Sequence, residues 1–188
     1  MKITLTENLK QKPDFKNLGF GKYFTDHMLY MEYVDGKWGE VEIRPFSDIA
    51  VNPASVVFHY GQEIFEGMKA YKNTDGKITM FRPRDNILRM NRSAKRLCMA
   101  ELPVDEVLEG IFELVRIEKD WIPTDPGTSL YIRPTMIANE NFLGVHPSKK
   151  YIFFVILSPV GSYYAHGLEP TRIYVEDAVS YTHLRAHE

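Results

Sequence analysis

One continuous stretch in the first half of the chain specifies a strand, a tight turn, a second strand and a helix in immediate succession. Residues 65–71 have the pattern of a strand, and residues 73–76, Asn-Thr-Asp-Gly, have the composition of a tight turn. Residues 77–81 return as the paired strand. A helix opens at residues 82–85, with Pro83 near its first turn, where the missing N–H of a proline costs little. The stretch therefore predicts a β-hairpin that leads directly into a basic helix.

The rest of the chain extends this pattern. The same reasoning predicts strands at residues 28–34, 38–43, 55–60, 129–137 and 151–157, and amphipathic helices at residues 85–99 and 104–119. Asp35 and Gly36 form a hairpin turn in this scheme, and Pro134 implies a sheet edge or a bulge. Strands, then two helices, then more strands predict an α+β fold: a mostly antiparallel sheet with two main helices packed on it.

Composition and charge exclude several classes of function. The 188-residue chain is 44% hydrophobic and 26% charged with a formal net charge of −2, so neither nucleic acid nor an anionic membrane is an expected partner. The longest apolar run, residues 151–157, is too short to cross a bilayer, and no apolar signal region follows Met1. Cys98 is the only cysteine, which fits a reducing compartment, and the expected location is the cytoplasm.

The sequence gives little indication of a metal site or of a catalytic nucleophile. The six histidines are scattered, and the one pair with helical spacing, His183 and His187, lies in an unpatterned C-terminal tail. Cys98 falls on the apolar face of the helix predicted at residues 85–99, where a buried structural thiol is expected. We therefore expect no metal site and no catalytic cysteine.

Arginines and aromatic residues are better candidates for a ligand site. Arg89 projects from the polar face of the first predicted helix; the pattern alone favours a solvated basic face, and capture of a phosphate is the alternative. Tyr131 and Arg133 project to one side of a strand, where they could hold a carboxylate or form a salt-bridged edge. Four aromatic residues are each typical of core packing, but as a set they could line an apolar pocket. They are Tyr60, Phe65, Tyr131 and Tyr163.

Eight groups of short motifs follow one another between about residue 20 and residue 177. They are Phe-Gly-Lys-Tyr-Phe-Thr-Asp-His-Met at 20–28, His-Tyr at 59–60 with Phe-Glu-Gly-Met-Lys-Ala at 65–70, Phe-Arg-Pro at 81–83 with Arg-Met at 89–90, Arg-Ser-Ala-Lys-Arg-Leu-Cys at 92–98, Lys-Asp-Trp at 119–121, Gly-Thr-Ser-Leu-Tyr-Ile-Arg-Pro at 127–134, Leu-Gly-Val at 143–145 and Phe-Val-Ile-Leu-Ser-Pro-Val-Gly at 154–161. In this order and spacing they resemble the N-terminal half of branched-chain aminotransferases, pyridoxal-phosphate (PLP) enzymes of fold type IV.

The resemblance implies a role for each candidate residue. Arg89 matches the arginine that binds the PLP phosphate, and it would face the concave surface shared by Tyr60, Phe65 and Tyr131. The implied pocket walls are these three residues and Tyr163. Arg133 matches an arginine that meets the distal carboxylate of glutamate. Val145 matches a loop that reaches into the pocket of a partner subunit, which implies a homodimer. The implied reaction is ping-pong transamination between a branched-chain amino acid (leucine, isoleucine or valine) and 2-oxoglutarate.

The chain departs from that family near its C-terminal end. The family's catalytic lysine follows the strand that begins at residue 172, whereas no lysine follows Lys150 here. We therefore expect a truncated chain, inactive alone, with an arm (1–18), a small α+β domain (19–161), a linker (162–170), the first strand of a second domain (171–179) and a foreign tail (180–188). Two alternatives stay open: another fold type IV enzyme (a D-amino-acid aminotransferase or aminodeoxychorismate lyase), or a non-catalytic dimerisation or binding module.

Overall fold

The computed structural model describes residues 1–162, residue 170 and residues 172–175. Within that part the chain forms one nine-stranded sheet and three α-helices. The strands are β1 (Lys2–Ile3), β2 (His27–Val34), β3 (Lys37–Trp38), β4 (Glu42–Pro45), β5 (Glu63–Phe65), β6 (Met68–Lys72), β7 (Ile78–Met80), β8 (Ser129–Ala138) and β9 (Tyr151–Val160). The helices are α1 (Val56–Tyr60), α2 (Pro83–Arg96) and α3 (Val104–Ile117), and a short 3-10 helix, Lys119–Trp121, follows α3.

The sheet is antiparallel except at one edge. Its strand order is β1-β4-β2-β9-β8-β6-β7, with β3 paired to β2 and β5 paired to β8. Among the described strand pairs, β1 with β4 is the parallel one. The longest ladder joins β8 to β9 and runs the full length of both strands. The predicted α+β class, with a mostly antiparallel sheet and two main helices, is therefore confirmed.

The main hydrophobic core lies between the sheet and the helices α2 and α3. Helix α2 buries Ile87, Met90 and Ala94 at helical spacing, and α3 buries a longer stripe against the same core. Full burial of a side chain as large as that of Ile87 or Met90 contributes roughly 2 kcal/mol. A smaller cluster around Met28 and Ile152 lies on the opposite face of the sheet. The sheet therefore has one face covered by helices and a second face with its own apolar side chains.

Both predicted hairpin turns are present. Asp35 and Gly36 have φ values of 53° and 80°, the left-handed pair that a two-residue turn between twisted strands requires. In the second turn, the N–H of Asn73 donates to the carbonyl of Lys77 at 2.9 Å. The strand predicted at residues 38–43 is split into β3 and β4, and both pair with β2.

Pro134 lies in a central strand, not at an edge or a bulge as predicted. Strand β8 has β9 on one side and both β5 and β6 on the other. The pairing register with β8 is the same on the two sides of Pro134, so no residue is inserted. A proline has no N–H to donate, so only the N–H of Glu66 bonds across, to the Pro134 carbonyl at 2.9 Å, and the ladder is interrupted at Glu66 and Gly67. The strand predicted at residues 65–71 is therefore two strands, β5 and β6, in one line.

Residues 55–60 contain a helix where a strand was predicted. Helix α1 begins after Ser55, whose backbone is extended, and ends at Gly61. The φ of Gly61 is 58°, a left-handed conformation that glycine adopts without strain. So short a segment has too few residues for a helical period to be distinguished from a strand period.

Cys98 is exposed and is not the buried core thiol that was predicted. Helix α2 ends at Arg96, and Cys98 lies beyond that end with a φ of 53°. The prediction assumed that the helix continues through Cys98, whereas helical periodicity does not extend to that residue. Met99 supplies the buried side chain at this point of the chain.

The predicted N-terminal arm is attached to the domain. Strand β1 pairs with β4, and the N–H of Lys10 donates to Oδ1 of Asp26 at 2.7 Å. Near the other end, residues 172–175 are exposed and lie in no strand. The remaining parts of the predicted linker (162–170), second-domain strand (171–179) and tail (180–188) lie outside the described residues. No helix within the described ranges has the length and apolarity needed to cross a membrane.

Candidate functional site

A guanidinium flanked by aromatic rings lies on the sheet face opposite α2 and α3. The Cζ of Arg133 is 4.3 Å from the centre of the Phe65 ring and 5.2 Å from that of the Tyr131 ring. Its Nη2 donates to the Tyr131 hydroxyl at 2.9 Å. The Phe20 ring meets Tyr131 edge to face at 5.1 Å. We call Phe65, Tyr131 and Arg133 the Arg133 cage; it combines a positive charge with apolar surface.

Strand alternation explains the position of the Arg133 cage. On β8, Ile132 and Pro134 are buried toward the helices, so the residues that alternate with them face the other way. Tyr131 and Arg133 are therefore neighbours on one face, and β5 brings Phe65 to the same face across the ladder. Phe65 is 60% exposed, so the cage is open to solvent.

Arg89 forms a two-point ion pair with Glu66. Its Nε donates to Oε1 at 2.6 Å and its Nη2 donates to Oε2 at 2.7 Å. The Nδ2 of Asn86 donates to the same Oε2 at 3.1 Å. Burial by itself would raise the pKa of Glu66, but the hydrogen bonds from Arg89 and Asn86 outweigh it and hold the pKa below its ordinary value. Glu66 is therefore an ionised carboxylate at neutral pH.

Arg89 and the Arg133 cage lie on opposite faces of one short segment. Glu66 alternates with Phe65 and Gly67, so its side chain points toward α2 while that of Phe65 points into the cage. Gly67 lies against the Tyr131 hydroxyl, and a Cβ added at Gly67 would overlap it. The structure therefore corrects the expectation of one concave surface shared by Arg89 and the aromatic residues. The two groups meet only at the ladder interruption.

The segment between β5 and β6 forms an open edge of the sheet on the side away from β8. In the described part of the chain no strand pairs with the outer side of Gly67, and Nδ2 of Asn86 donates to its carbonyl at 3.3 Å. The Arg89 side chain is 59% exposed beside it. Three of the five N–H groups of Arg89 have no partner among the described residues. The cavity beside Arg89 is lined by Asn86, Asp85 and other residues of α2 and the turn before it, and by no residue of the Arg133 cage.

The other predicted pocket residues are separate from the cage. Tyr60, at the end of α1, donates its hydroxyl to the carbonyl of Leu143. Leu143 belongs to the loop that carries Val145, which is 87% exposed. No hydrogen bond or ring contact described for residues 1–162 joins Tyr60 or Val145 to the Arg133 cage. Tyr163 lies outside the described residues.

Glu66 and Asn86 are site residues that the sequence did not single out. The available signal was an acidic residue within a predicted strand, because a carboxylate that becomes buried needs a charged or hydrogen-bonding partner. The identity of that partner could not be inferred from the pattern, since Arg89 lies 23 residues further along the chain.

Comparison with known proteins identifies close relatives. No family model matches the chain. Branched-chain-amino-acid transaminase 1 of Bacillus subtilis (strain 168) is 53% identical over 170 residues, and branched-chain-amino-acid aminotransferase 2 of the same strain is 49% identical over 177 residues. The matches cover 89% and 94% of this chain but 48% and 49% of those proteins. The chain thus spans about half the length of the curated relatives it matches.

Solved structures agree with the sequence relatives. A branched-chain amino acid aminotransferase from Escherichia coli has a TM-score of 0.52 and 26% identity, covering 72% of this chain and 41% of its own. The T.th. branched-chain amino acid aminotransferase with pyridoxamine 5′-phosphate has a TM-score of 0.51 and 27% identity, covering 71% of this chain and 40% of its own. Over the part that it shares with these proteins, the chain belongs to the branched-chain-amino-acid aminotransferase family.

Proposed function

We propose that this chain supplies part of the active site of a PLP-dependent enzyme that transfers an amino group between a branched-chain amino acid and 2-oxoglutarate. The observation that carries the proposal is the Arg133 cage, a cation beside apolar rings on an open sheet face. The reaction needs both features. An aliphatic side chain requires apolar contact, and the distal carboxylate of glutamate requires a cation.

Arg89 is the residue proposed to hold the cofactor phosphate. Glu66 occupies one edge of its guanidinium, and Nη1 with the second N–H of Nη2 has no partner among the described residues. A guanidinium in this state can donate to two phosphate oxygens. The donor chemistry of these residues fits PLP, which when bound supplies an electron sink for the substrate α-carbon.

The substrate side chain is proposed to lie against Phe65 and Tyr131. The other proposed walls are Tyr60, Tyr163 and the Val145 loop. In this arrangement Arg133 is contacted by its aromatic neighbours and the Tyr131 hydroxyl, so its charge remains available to a substrate carboxylate. An aliphatic substrate would instead cover the Phe65 ring and exclude water from it.

The proposed partner is a second copy of the chain, with the enzyme in the cytoplasm. Large apolar side chains are exposed on the segment around Val145, including Phe142 and Leu143. Exposed apolar side chains grouped on one loop are typical of a protein–protein contact. We infer a homodimer in which Val145 enters the pocket of the other subunit.

No residue of this chain is assigned as the lysine that carries the cofactor. Lys69 is the strand partner of Tyr131, but its side chain is partly exposed and no described contact encloses it beside the cage. A lysine that forms an imine at neutral pH needs its pKa lowered by burial or by a neighbouring cation. We infer that the isolated chain does not catalyse transamination.

The test joins residues 1–162 of this chain to the C-terminal half of Bacillus subtilis transaminase 1. We expect this chimera to show an imine absorption band with PLP and to form glutamate from leucine and 2-oxoglutarate. Arg89→Ala should lower cofactor affinity about tenfold or more, because hydrogen bonds to a charged group are worth roughly 1.5–3 kcal/mol. The unjoined chain should show neither band nor activity. A folded, PLP-loaded chimera that accepts D-alanine but not leucine would contradict the proposed substrate class.

A further inference from the structure

We propose that Glu66, assisted by Asn86, is a positioning residue that holds the guanidinium of Arg89 in the orientation a phosphate group requires. The inference rests on the proposed function, since it assigns a task within the same cofactor site. The phosphate-binding unit is then an arginine, a buried carboxylate and an amide, contributed by the ladder interruption and by α2.

Glu66 is itself held in place, which makes it a suitable anchor. Its side chain is only 7% exposed, and its carboxylate accepts hydrogen bonds from Arg89, from Asn86 and from the N–H of Gly67 at 3.3 Å. Arg89 reaches it from an exposed helix face, where a long side chain otherwise samples many rotamers. Two parallel bonds to a fixed acceptor remove most of that freedom and leave the outer edge of the guanidinium pointing in one direction.

The other ion pairs of the helices differ from this one. Arg84 with Asp105 is more than half exposed on both sides, and Arg116 pairs with Glu113 within its own helix. Such pairs contribute little and hold neither partner firmly. Glu66 is the buried carboxylate among the arginine pairs described for residues 1–162. Burying a carboxylate is unfavourable unless it is fully hydrogen-bonded, as it is here.

The charge of Glu66 allows two roles to be distinguished: orienting the Arg89 guanidinium, or only changing the net charge that a phosphate meets. A carboxylate next to Arg89 reduces the positive charge that an incoming phosphate meets. If charge alone mattered, removing that carboxylate would strengthen phosphate binding. If orientation matters more, the same change would weaken binding even though a repulsive charge has been removed. The sign of the effect therefore decides between the two.

The experiment follows the Nε–H signals of the 188-residue chain, labelled with ¹⁵N-arginine, by NMR during titration with inorganic phosphate. In the wild-type chain we expect a slowly exchanging Arg89 signal that shifts with phosphate. Glu66→Gln should speed the exchange of this proton with water and weaken phosphate binding about threefold or more, the loss expected for one misplaced hydrogen bond. Wild-type affinity should also fall more than that of Glu66→Gln as pH drops through the lowered pKa of Glu66, since protonation of phosphate itself affects both chains equally.

Glu63→Gln is the matched control. It removes the same charge from an exposed position on β5, three residues away, without touching Arg89. We expect its phosphate affinity and its Arg89 signal to equal those of the wild type. Equal or tighter phosphate binding by Glu66→Gln would overturn the positioning role while leaving Arg89 as the phosphate ligand. An Arg89 signal that phosphate never moves in the wild-type chain would instead overturn the phosphate role of Arg89, and with it the positioning role.

Discussion

The imidazole of His27 and the carboxylate of Glu118 form a buried pair, with Nδ1 2.6 Å from Oε1. The backbone N–H of His27 donates to the same oxygen at 2.8 Å. The second ring nitrogen, Nε2, accepts from the N–H of Thr6 at 2.9 Å, which places the ring proton on Nδ1. One imidazole therefore joins the N-terminal segment, β2 and the end of α3.

Replacing this imidazole should loosen the N-terminal segment. His27→Phe keeps a ring of similar size but leaves the Thr6 amide without its acceptor and removes the ring N–H from the buried Glu118 carboxylate, which keeps only the backbone N–H of residue 27. We expect the free energy of unfolding to fall by roughly 2–3 kcal/mol in urea denaturation. Tryptic cleavage after Lys10 should become faster. The control is His59→Phe, an exposed position where a change of no more than about 0.5 kcal/mol is expected; equal effects of both variants would contradict the proposed link.

The Glu66–Arg89 pair should make stability depend on acid pH. The pKa of Glu66 is held below its ordinary value in the folded chain, so the unfolded chain takes up the proton first. The resulting stabilisation is fully present above the unfolded pKa of about 4.3 and is lost as pH falls through the lower folded pKa. Urea unfolding of wild type and Glu66→Gln at a series of pH values should show a difference that shrinks on acidification. A difference that stays constant would exclude this pair as its source.

Ionisation of Tyr151 should lower the stability of the fold as pH rises, whereas protonation of Glu66 lowers it as pH falls. Burial raises the pKa of Tyr151 to about 12, and its hydroxyl donates to the carbonyl of Ser148 at 2.5 Å. The folded chain keeps this proton where the unfolded chain loses it, at about pH 10. Its contribution to stability is therefore complete below that pH and is lost as pH rises toward the folded value. Tyr151→Phe should flatten the alkaline limb of the stability curve, and ultraviolet titration should show one fewer late-ionising tyrosine.

Gly67→Ala should displace Tyr131 from its position. The added Cβ would overlap the Tyr131 hydroxyl, and we expect a loss of roughly 1–3 kcal/mol in urea unfolding, the usual range for overpacking. Adding Tyr131→Phe to the same chain removes the overlapping oxygen and should restore part of the loss. Gly39→Ala is the control, since its nearest neighbour is a backbone oxygen at an ordinary 3.4 Å. Failure of the double variant to recover would show that the hydroxyl is not the obstacle.

Local sequence patterns were sufficient to predict most of the secondary structure. The turns at residues 35–36 and 73–76 and the helices α2 and α3 depend on neighbours in the chain, so their patterns were sufficient. Helix α1 was missed because its five residues are too few to show a period. The position of Pro134 in a central strand was missed because sheet order is set by packing between distant segments.

The sequence by itself determined the α+β class, the hairpin leading into a basic helix, and the family to which the motifs point. It also determined that Tyr131 and Arg133 share a face, because a strand alternates regardless of its partners. Only the tertiary structure decided that Glu66 pairs with Arg89 and that this pair lies on the opposite face of the sheet from the Arg133 cage. Those contacts depend on strand register and on how α2 packs against the sheet, and no local pattern carries that information.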